Sequence, residues 1–179
     1  MAAALLVCAG AAGAADKPAA GMPSADNDLA AKVRHEILIY SRYSIWDDVT
    51  FRVTDGTVEL YGDVSQPYKK SDIEKIVRTL PGVANVKDAI VVLPLSTQDD
   101  RLRMQVARAI YGNANFTRYA MQPLPPIHII VGNGHVRLEG VVASKFDKDL
   151  AGVRASSAGL SFGPVVNNLQ VEPPPAKKS

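Results

Sequence analysis

The chain of 179 residues has one cysteine, Cys8, only three histidines, and few aromatic residues, which make up 6% of the sequence. A single cysteine excludes both an intramolecular disulfide framework and a zinc site built from several thiolates. Lys and Arg exceed Asp and Glu by two, an excess too small to indicate nucleic-acid binding. His35 adjoins Arg34, while His128 and His135 lie on either side of a predicted turn. We therefore expect three exposed or strand-edge histidines and no metal site.

Catalytic signatures are also lacking. The sequence has no glycine-rich phosphate loop, no G-x-S-x-G motif and no zinc-ligand spacing. The pairs Asp47-Asp48 and Asp99-Asp100 fall at predicted element boundaries, where Asp99 or Asp100 is expected to cap a helix N-terminus. These absences predict a protein that is not an enzyme, with no cofactor and no small-molecule substrate.

An apolar segment of small residues opens the chain at residues 2–14. It is too short to cross a bilayer as a helix but fits the hydrophobic region of a secretory signal. Small residues around Ala14 suit a signal-peptidase site, so we assign residues 1–15 to a signal peptide. The sequence thus predicts export to the periplasm.

Cys8 resembles the lipidated cysteine of bacterial lipoproteins, but bulky Val7 stands where that motif has a small residue. We therefore do not predict a lipid anchor. Residues 16–27 are rich in small residues, Pro and Gly and are expected to form a flexible leader. Residues 173–179 are expected to form a disordered basic tail with the sequence PPPAKKS.

A repeat occupies most of the remaining chain. Residues 49–64 align with residues 127–142 at a constant offset of 78. The identical pairs are Val53/Val131, Gly56/Gly134, Val58/Val136, Leu60/Leu138, Gly62/Gly140 and Val64/Val142.

The repeated segment predicts a β-hairpin. Apolar residues alternate with polar ones, which is typical of a strand with one buried face. Asp55-Gly56 and Asn133-Gly134 separate two such runs, and both positions of a two-residue hairpin turn require positive φ. Gly62 and Gly140 fall on the inward face, so we expect the backbone there to be approached closely, most simply by a packed helix.

The flanking segments repeat as well, in the order helix, strand, strand, helix, strand. We predict an α+β protein of two tandem units, each a three-stranded sheet backed by two helices. The first repeat spans residues 28–93 and the second repeat residues 100–172, with a linker at 94–99. Extra residues precede the second hairpin at 117–126, where three prolines predict irregular structure.

A duplicated α-β-β-α-β unit with a V-x-L-x-G-x-V strand behind a signal peptide resembles a pair of BON domains (bacterial OsmY and nodulation). Residues 57–64 and the L-P-G-V-x-x-V segment at 80–86 carry the resemblance, whereas the second repeat has a different sequence at 158–165. The resemblance implies a location in the periplasm or at the outer membrane. It also implies binding of phospholipid or other envelope components without catalysis, and a role under osmotic or other stress.

One helix face in the second repeat suggests a binding surface. The first repeat carries 9 basic and 11 acidic residues over 26–97, whereas residues 98–172 carry 8 and 6, and six of those eight are arginines. Arg suits phosphate because its guanidinium donates two parallel hydrogen bonds. Cations mixed with Met and Tyr suit the headgroup region of a membrane. The predicted lipid-binding residues are Arg101, Met104, Arg108 and Tyr111, followed by Phe116, Arg118 and Tyr119.

An alternative remains open for the same residues, because Met104 and Tyr111 would also suit packing between the two repeats. Tyr43, Trp46 and Phe51 are expected to pack in the core or in loops. The sequence thus predicts an envelope adaptor that binds anionic phospholipid. The alternative is a protein-docking module for a secretion or cell-wall assembly, with residues 117–126 as its contact loop.

Overall fold

A computed structural model describes residues 24–159 and 161–173. The predicted signal peptide with Cys8, most of the predicted leader, and the tail after residue 173 lie outside the described residues.

The first repeat begins with helix α1 (Ser24–Ile39), so the last four residues of the predicted leader are helical. Strands β1 (Asp48–Thr54) and β2 (Thr57–Val64) form the hairpin, and helix α2 (Pro67–Arg78) leads to strand β3 (Asn85–Val92). The sheet order is β1-β2-β3, with β1 and β2 antiparallel and β2 and β3 parallel. The predicted α-β-β-α-β order is confirmed.

The second repeat has the same order with two differences. Helix α3 (Thr97–Tyr111) begins inside the predicted linker, and a 3-10 turn (Ala114–Phe116) and a short helix α4 (Thr117–Ala120) follow it. The prediction of irregular structure throughout 117–126 was therefore wrong for its first four residues.

Strands β4 (Ile127–Gly132) and β5 (His135–Val142) form the second hairpin, and helix α5 (Lys145–Ser156) follows. The final strand is broken into β6 (Val166–Asn167) and β7 (Gln170–Val171), both parallel to β5. This broken strand lies where the second repeat departs from the L-P-G-V pattern of the first.

Each repeat has its own apolar core between one sheet face and its two helices. Period-two alternation in the strands and helical spacing in α1 and α3 direct the apolar residues to that face. The largest fully buried side chains are Leu60, Ile73 and Ile90 in the first repeat and Phe116, Ile110, Ile127, Ile129, Leu138 and Leu169 in the second.

Both hairpin turns have the predicted geometry. Asp55 and Gly56 have φ of 49° and 73°, and Asn133 and Gly134 have φ of 51° and 76°. Positive φ at both positions matches the right-handed twist of the flanking strands, as in type I′ turns.

The two strand glycines have a different role from the one predicted. Gly62 and Gly140 adopt φ of 106° and 114°, a region that L side chains rarely enter. A Cβ on Gly62 would lie 2.0 Å from the carbonyl oxygen of Asp48, and one on Gly140 would lie 1.9 Å from that of Pro126. The backbone at the start of the paired strand, β1 or β4, approaches each glycine closely, and no helix in the described residues does so.

Candidate functional site

Three of the predicted lipid-binding residues share an exposed face of α3. Arg101, Met104 and Arg108 are all exposed, and Met104 keeps 46% of its accessible surface. Within the described residues neither Arg101 nor Arg108 forms a salt bridge, although both α3 neighbours Asp99 and Asp100 are acidic. This α3 face therefore presents two cations on either side of one flexible apolar side chain.

Tyr111, the fourth predicted residue of that face, points inward. Its hydroxyl donates to the carbonyl oxygen of Ile127 at 2.5 Å and accepts from the N–H of Ile127 at 3.2 Å. Burial raises the pKa of Tyr111 well above its ordinary range. Its hydroxyl therefore stays protonated and fastens the end of α3 to the start of β4, so it is not available to a membrane.

Phe116 and Tyr119 are buried in the core of the second repeat, with 0% and 5% of their surface exposed. Their rings contact each other with centroids 6.0 Å apart. The prediction that they bind lipid was wrong, because the 3-10 turn and α4 direct both rings back under the sheet. Sequence spacing alone did not reveal that extra turn.

Arg118 is exposed but engaged. Its guanidinium forms a salt bridge with the buried carboxylate of Asp147 and lies over the ring of Tyr119. The Tyr119 hydroxyl also donates to Asp147, at 3.0 Å, and accepts from the N–H of Ala143 at 2.8 Å. Arg118 thus closes a polar cluster at the N-terminus of α5, and it is not a free phosphate ligand.

Another arginine of the second repeat, Arg103, is buried, with 5% of its surface exposed. It donates to the carbonyl oxygen of Val131 at 2.5 Å and forms a salt bridge with Asp100. Its Nε is a buried donor with no hydrogen-bond partner in the described residues. The burial of Arg103 was not recognisable from the sequence, because it depends on the Val131 carbonyl, which is 28 residues away in the chain.

A second polar cluster lies where the two repeats meet. The backbone N–H of Ile129 donates to the carbonyl oxygen of Ile45 at 2.7 Å, and Nδ1 of His128 hydrogen-bonds the carbonyl oxygen of Asp47. His128 lies on an edge strand, as predicted, but its side chain is buried, with 9% of its surface exposed. Burial lowers the pKa of His128, although the Asp47 carbonyl acts in the opposite direction. Since a carbonyl only accepts, Nδ1 carries the proton of a neutral ring.

Charged residues border this contact. Arg137 of β5 forms salt bridges with Asp63 of the first repeat and with Glu139, the latter at 2.6 Å. The pKa of Asp48 is raised to about 6, mainly by burial and then by the charge of Glu139, while the charge of Arg137 acts in the opposite direction. The adjacent carboxylates therefore lie in different surroundings. Asp48 lies near charged residues of the second repeat, whereas Asp47 lies among buried polar residues of the first repeat.

Asp47 itself is fully buried in the first repeat. It forms a 2.6 Å salt bridge with Nζ of Lys69, whose side chain is 6% exposed, and accepts from the N–H of Ser65 at 2.8 Å. Pairing and hydrogen bonding of both charges make this a structural cluster. The burial of Lys69 could not be predicted from the sequence, because Lys69 is one of three lysines on α2.

Trp46 connects the α3 face to the contact between the repeats. Its ring packs against the core of the second repeat and borders a cleft of about 190 Å³. Met104 and Arg103 border the same cleft, opposite Ser65 and Gln66 of the first repeat. Met104 thus lies at the margin of inter-repeat packing while keeping almost half of its surface exposed.

Within residues 24–159 and 161–173, no group of three or more His, Cys, Asp and Glu side chains is arranged to hold a metal ion. No helix in this part of the chain has the length and apolar character needed to cross a membrane.

Comparison with known proteins gives one family and several similar solved structures. No curated protein matches the chain. A solved structure of CdsD, a structural protein of the type III secretion system of Chlamydia trachomatis, is 17% identical, with a TM-score of 0.32. The match covers 81% of this chain and 61% of that one. The C-terminal domain of CdsD is also 17% identical, with a TM-score of 0.29; the match covers 82% of this chain and 98% of that domain. Neither similarity bears on function at these TM-scores.

The family comparison is direct. The model of the BON domain matches twice, over residues 25–94 and 98–173. These two ranges coincide with the two α-β-β-α-β repeats of the structure and begin within a few residues of α1 and α3. The chain therefore belongs to the BON domain family and carries two copies of that domain.

Proposed function

We propose that this protein is a non-catalytic adaptor of the bacterial envelope that binds anionic phospholipid surfaces through the α3 face of its second repeat. The observation that carries the proposal is the joint exposure of Arg101, Met104 and Arg108 on that face, with no salt bridge to either cation in the described residues.

The chemistry of this face suits a lipid headgroup layer. Each guanidinium can donate a pair of hydrogen bonds to a phosphate, and the thioether of Met104 can enter between headgroups without an unpaired polar group. Each cation contributes on the order of 1 kcal/mol near an anionic surface, so two of them support weak and reversible binding. Since Tyr111, Phe116 and Tyr119 are engaged inside the second repeat, the lipid contact is smaller than the sequence predicted.

Vesicle co-sedimentation tests the proposal. The protein is expected to bind vesicles containing phosphatidylglycerol or cardiolipin better than neutral phosphatidylcholine vesicles, and added salt should weaken that binding because it screens charge. The double variant Arg101→Glu/Arg108→Glu is expected to lose binding while keeping its circular dichroism spectrum.

The matched control is Lys75→Glu/Arg78→Glu, which makes the same change in net charge on exposed positions of α2. It should retain most of the binding if the α3 face is the site. Equal loss in both double variants would point to overall charge, and equal binding to neutral vesicles would contradict the proposal.

Membership of the BON family supports an envelope location and a role in envelope integrity under osmotic or other stress. The export signal that we predict at residues 1–15 would place the protein in the periplasm, peripheral to the outer membrane. A deletion strain that grows normally in dilute medium and in detergent would contradict this role.

The alternative of a protein-docking module has one structural observation in its favour. In the part of the chain that the structure describes, strand β1 is an edge strand, and an apolar cavity opens beside it.

A further inference from the structure

The outer edge of β4 in the second repeat is covered by a segment of the first repeat, residues 44–48. Ile45 supplies its carbonyl oxygen to the N–H of Ile129 at 2.7 Å, as one residue of an added strand would. Trp46, next in the segment, packs its ring against the core of the second repeat. As a result residues 127–131 of β4 are all buried.

Within the described residues no further strand pairs with the equivalent edge in the first repeat, although the N–H of Val49 donates to the Tyr43 hydroxyl there at 3.1 Å. Of the seven residues of β1 only Val53 is buried. Phe51 occupies the position of Ile129, because Phe51 pairs with Leu60 as Ile129 pairs with Leu138, at the same distance from the hairpin turn. The N–H of Phe51 therefore points out of the sheet on the side where Ile129 binds its partner.

A cavity of about 200 Å³ lies beside this edge, between α1 and β1. Leu38, at its margin, keeps 52% of its surface exposed. The lining residues are Arg34, Ile37, Leu38, Tyr43, Val49, Thr50 and Phe51.

The second repeat contains the matching donor segment. The strand offset of 78 places Pro123 at the position of Ile45 and Leu124 at the position of Trp46. Ile45 uses only its carbonyl oxygen, so a proline can replace it without loss of a donor. The prolines on both sides of Leu124 restrict its backbone, which reduces the entropy lost on docking, and residues 122–124 would have to straighten from the bends seen in the structure.

We propose that the 122–126 segment of one copy docks on the β1 edge of a second copy, with the Pro123 carbonyl accepting from the Phe51 N–H and Leu124 entering the cavity. The contact repeats, between molecules, the one that joins the two repeats within a molecule. It is head-to-tail, so each copy keeps one free donor and one free acceptor, and assembly continues into a chain or closes into a ring.

The intermolecular contact should be weaker than the internal one. The counterparts of Arg137 and Asp63, which form a salt bridge across the internal contact, are Glu59 and Val141. Glu59 and Val141 cannot form an ion pair, and Leu124 has a smaller apolar side chain to bury than Trp46. Self-association is therefore expected only at high protein concentration, where monomers should exchange rapidly with short oligomers.

Sedimentation velocity over a concentration series tests the arrangement. The purified protein is expected to show a rising weight-average sedimentation coefficient with no limit at the dimer. Leu124→Asp removes the donor and Leu38→Asp charges the acceptor, and each variant alone is expected to remain a monomer. An equimolar mixture should form a 1:1 dimer and nothing larger, because one donor and one acceptor remain intact.

The control Met121→Asp changes a residue of the same region that is 80% exposed and has no place in the cavity, so it should assemble like the unchanged protein. Amide NMR provides a second readout, in which the Phe51 signal shifts with concentration and stops shifting in Leu124→Asp. A protein that stays monomeric at millimolar concentration, or a variant mixture that stays monomeric, overturns the proposal. A lone variant that still dimerises indicates a two-fold contact and overturns it too.

Lipid binding and self-association are separable here. The vesicle assay depends on Arg101 and Arg108 of α3, whereas assembly depends on Leu38 and Leu124. Either proposal can therefore fail without the other.

Discussion

Asp99 holds the turn at Gly134: its carboxylate accepts from the N–H of Gly134 at 2.8 Å and from that of Asn133 at 2.9 Å. Asp26 binds the Asp55-Gly56 turn in the same way, at 2.9 and 3.1 Å. Each repeat therefore ties the start of its first helix to its hairpin turn with one buried carboxylate. The expected helix cap at Asp99 was wrong, because Ser96 provides that cap by accepting from the Asp99 N–H at 3.2 Å.

Asp26→Asn should destabilise the first repeat by about 1–3 kcal/mol, since a neutral amide cannot accept two hydrogen bonds as strongly and its NH₂ group faces a donor. Chemical denaturation gives the free energy of unfolding. Asp28→Asn, two residues along the same helix and exposed, should change it little. Equal effects of the two substitutions would mean that the clamp does not contribute to stability.

Gly62→Ala and Gly140→Ala should each cost about 1–3 kcal/mol or more. The new Cβ would meet a backbone carbonyl at 2.0 or 1.9 Å, and φ near 110° is strained for alanine. Thermal unfolding measures the loss. The control is Gly132→Ala, also in a strand, where a Cβ would make an ordinary contact with Leu93 at 3.5 Å. Unchanged melting of both test variants would contradict the close approach.

The stability of the contact between the repeats should depend on pH through Asp48. Its pKa is about 6 in the folded protein, above the unfolded value, so the folded state binds the proton more tightly. Asp48 therefore stabilises the folded state at pH 4 relative to pH 7, and that contribution is lost as the pH rises toward 6 and above.

Asp48→Asn removes this contribution. The free energy of unfolding of the variant minus that of the unchanged protein should rise from pH 4 to about pH 7 and then stay constant. The lowered pKa of His128 acts in the opposite sense, weakening the fold as the pH drops below 6.5. The difference between the two proteins cancels that part, and a flat difference over the whole range would contradict the assignment to Asp48.

Trp46→Ala should uncouple the two repeats. Trp46 packs on the core of the second repeat from the chain of the first, so its loss removes apolar contact mainly between them. We expect a loss of about 2–4 kcal/mol, below the value for a fully buried Trp, and calorimetry should resolve two transitions. Tyr68→Ala, an exposed ring of α2, is the control and should leave one transition.

Most of the fold was predictable because it depends on short-range patterns. The alternation of apolar and polar residues predicted the inward faces of β2 and β5. The Asp-Gly and Asn-Gly pairs predicted both turns, since few other residue pairs adopt positive φ at two successive positions. The duplication then supported each assignment a second time. Helix starts were less accurate, as at Ser24 and Thr97, because the first turn of a helix need not be apolar.

The candidate site was predictable only in part. Helical spacing correctly placed Arg101, Met104 and Arg108 on one exposed face of α3. It failed for Phe116 and Tyr119, where a short turn and α4 reverse the chain direction over a few residues. No local pattern distinguishes a ring that reaches solvent from one that turns back into the core.

The sequence by itself determined the two BON domains, their hairpins and the side of each strand that forms a core, because those features depend on residues close together in the chain. Only the tertiary structure decided what covers the opposite sides. Burial of His128, the engagement of Arg103 and Arg118, and the pairing of Ile45 with Ile129 all depend on how surfaces distant in sequence meet. The same packing places residues 44–48 along the outer edge of β4, whereas within the described residues no further strand pairs with the edge of β1.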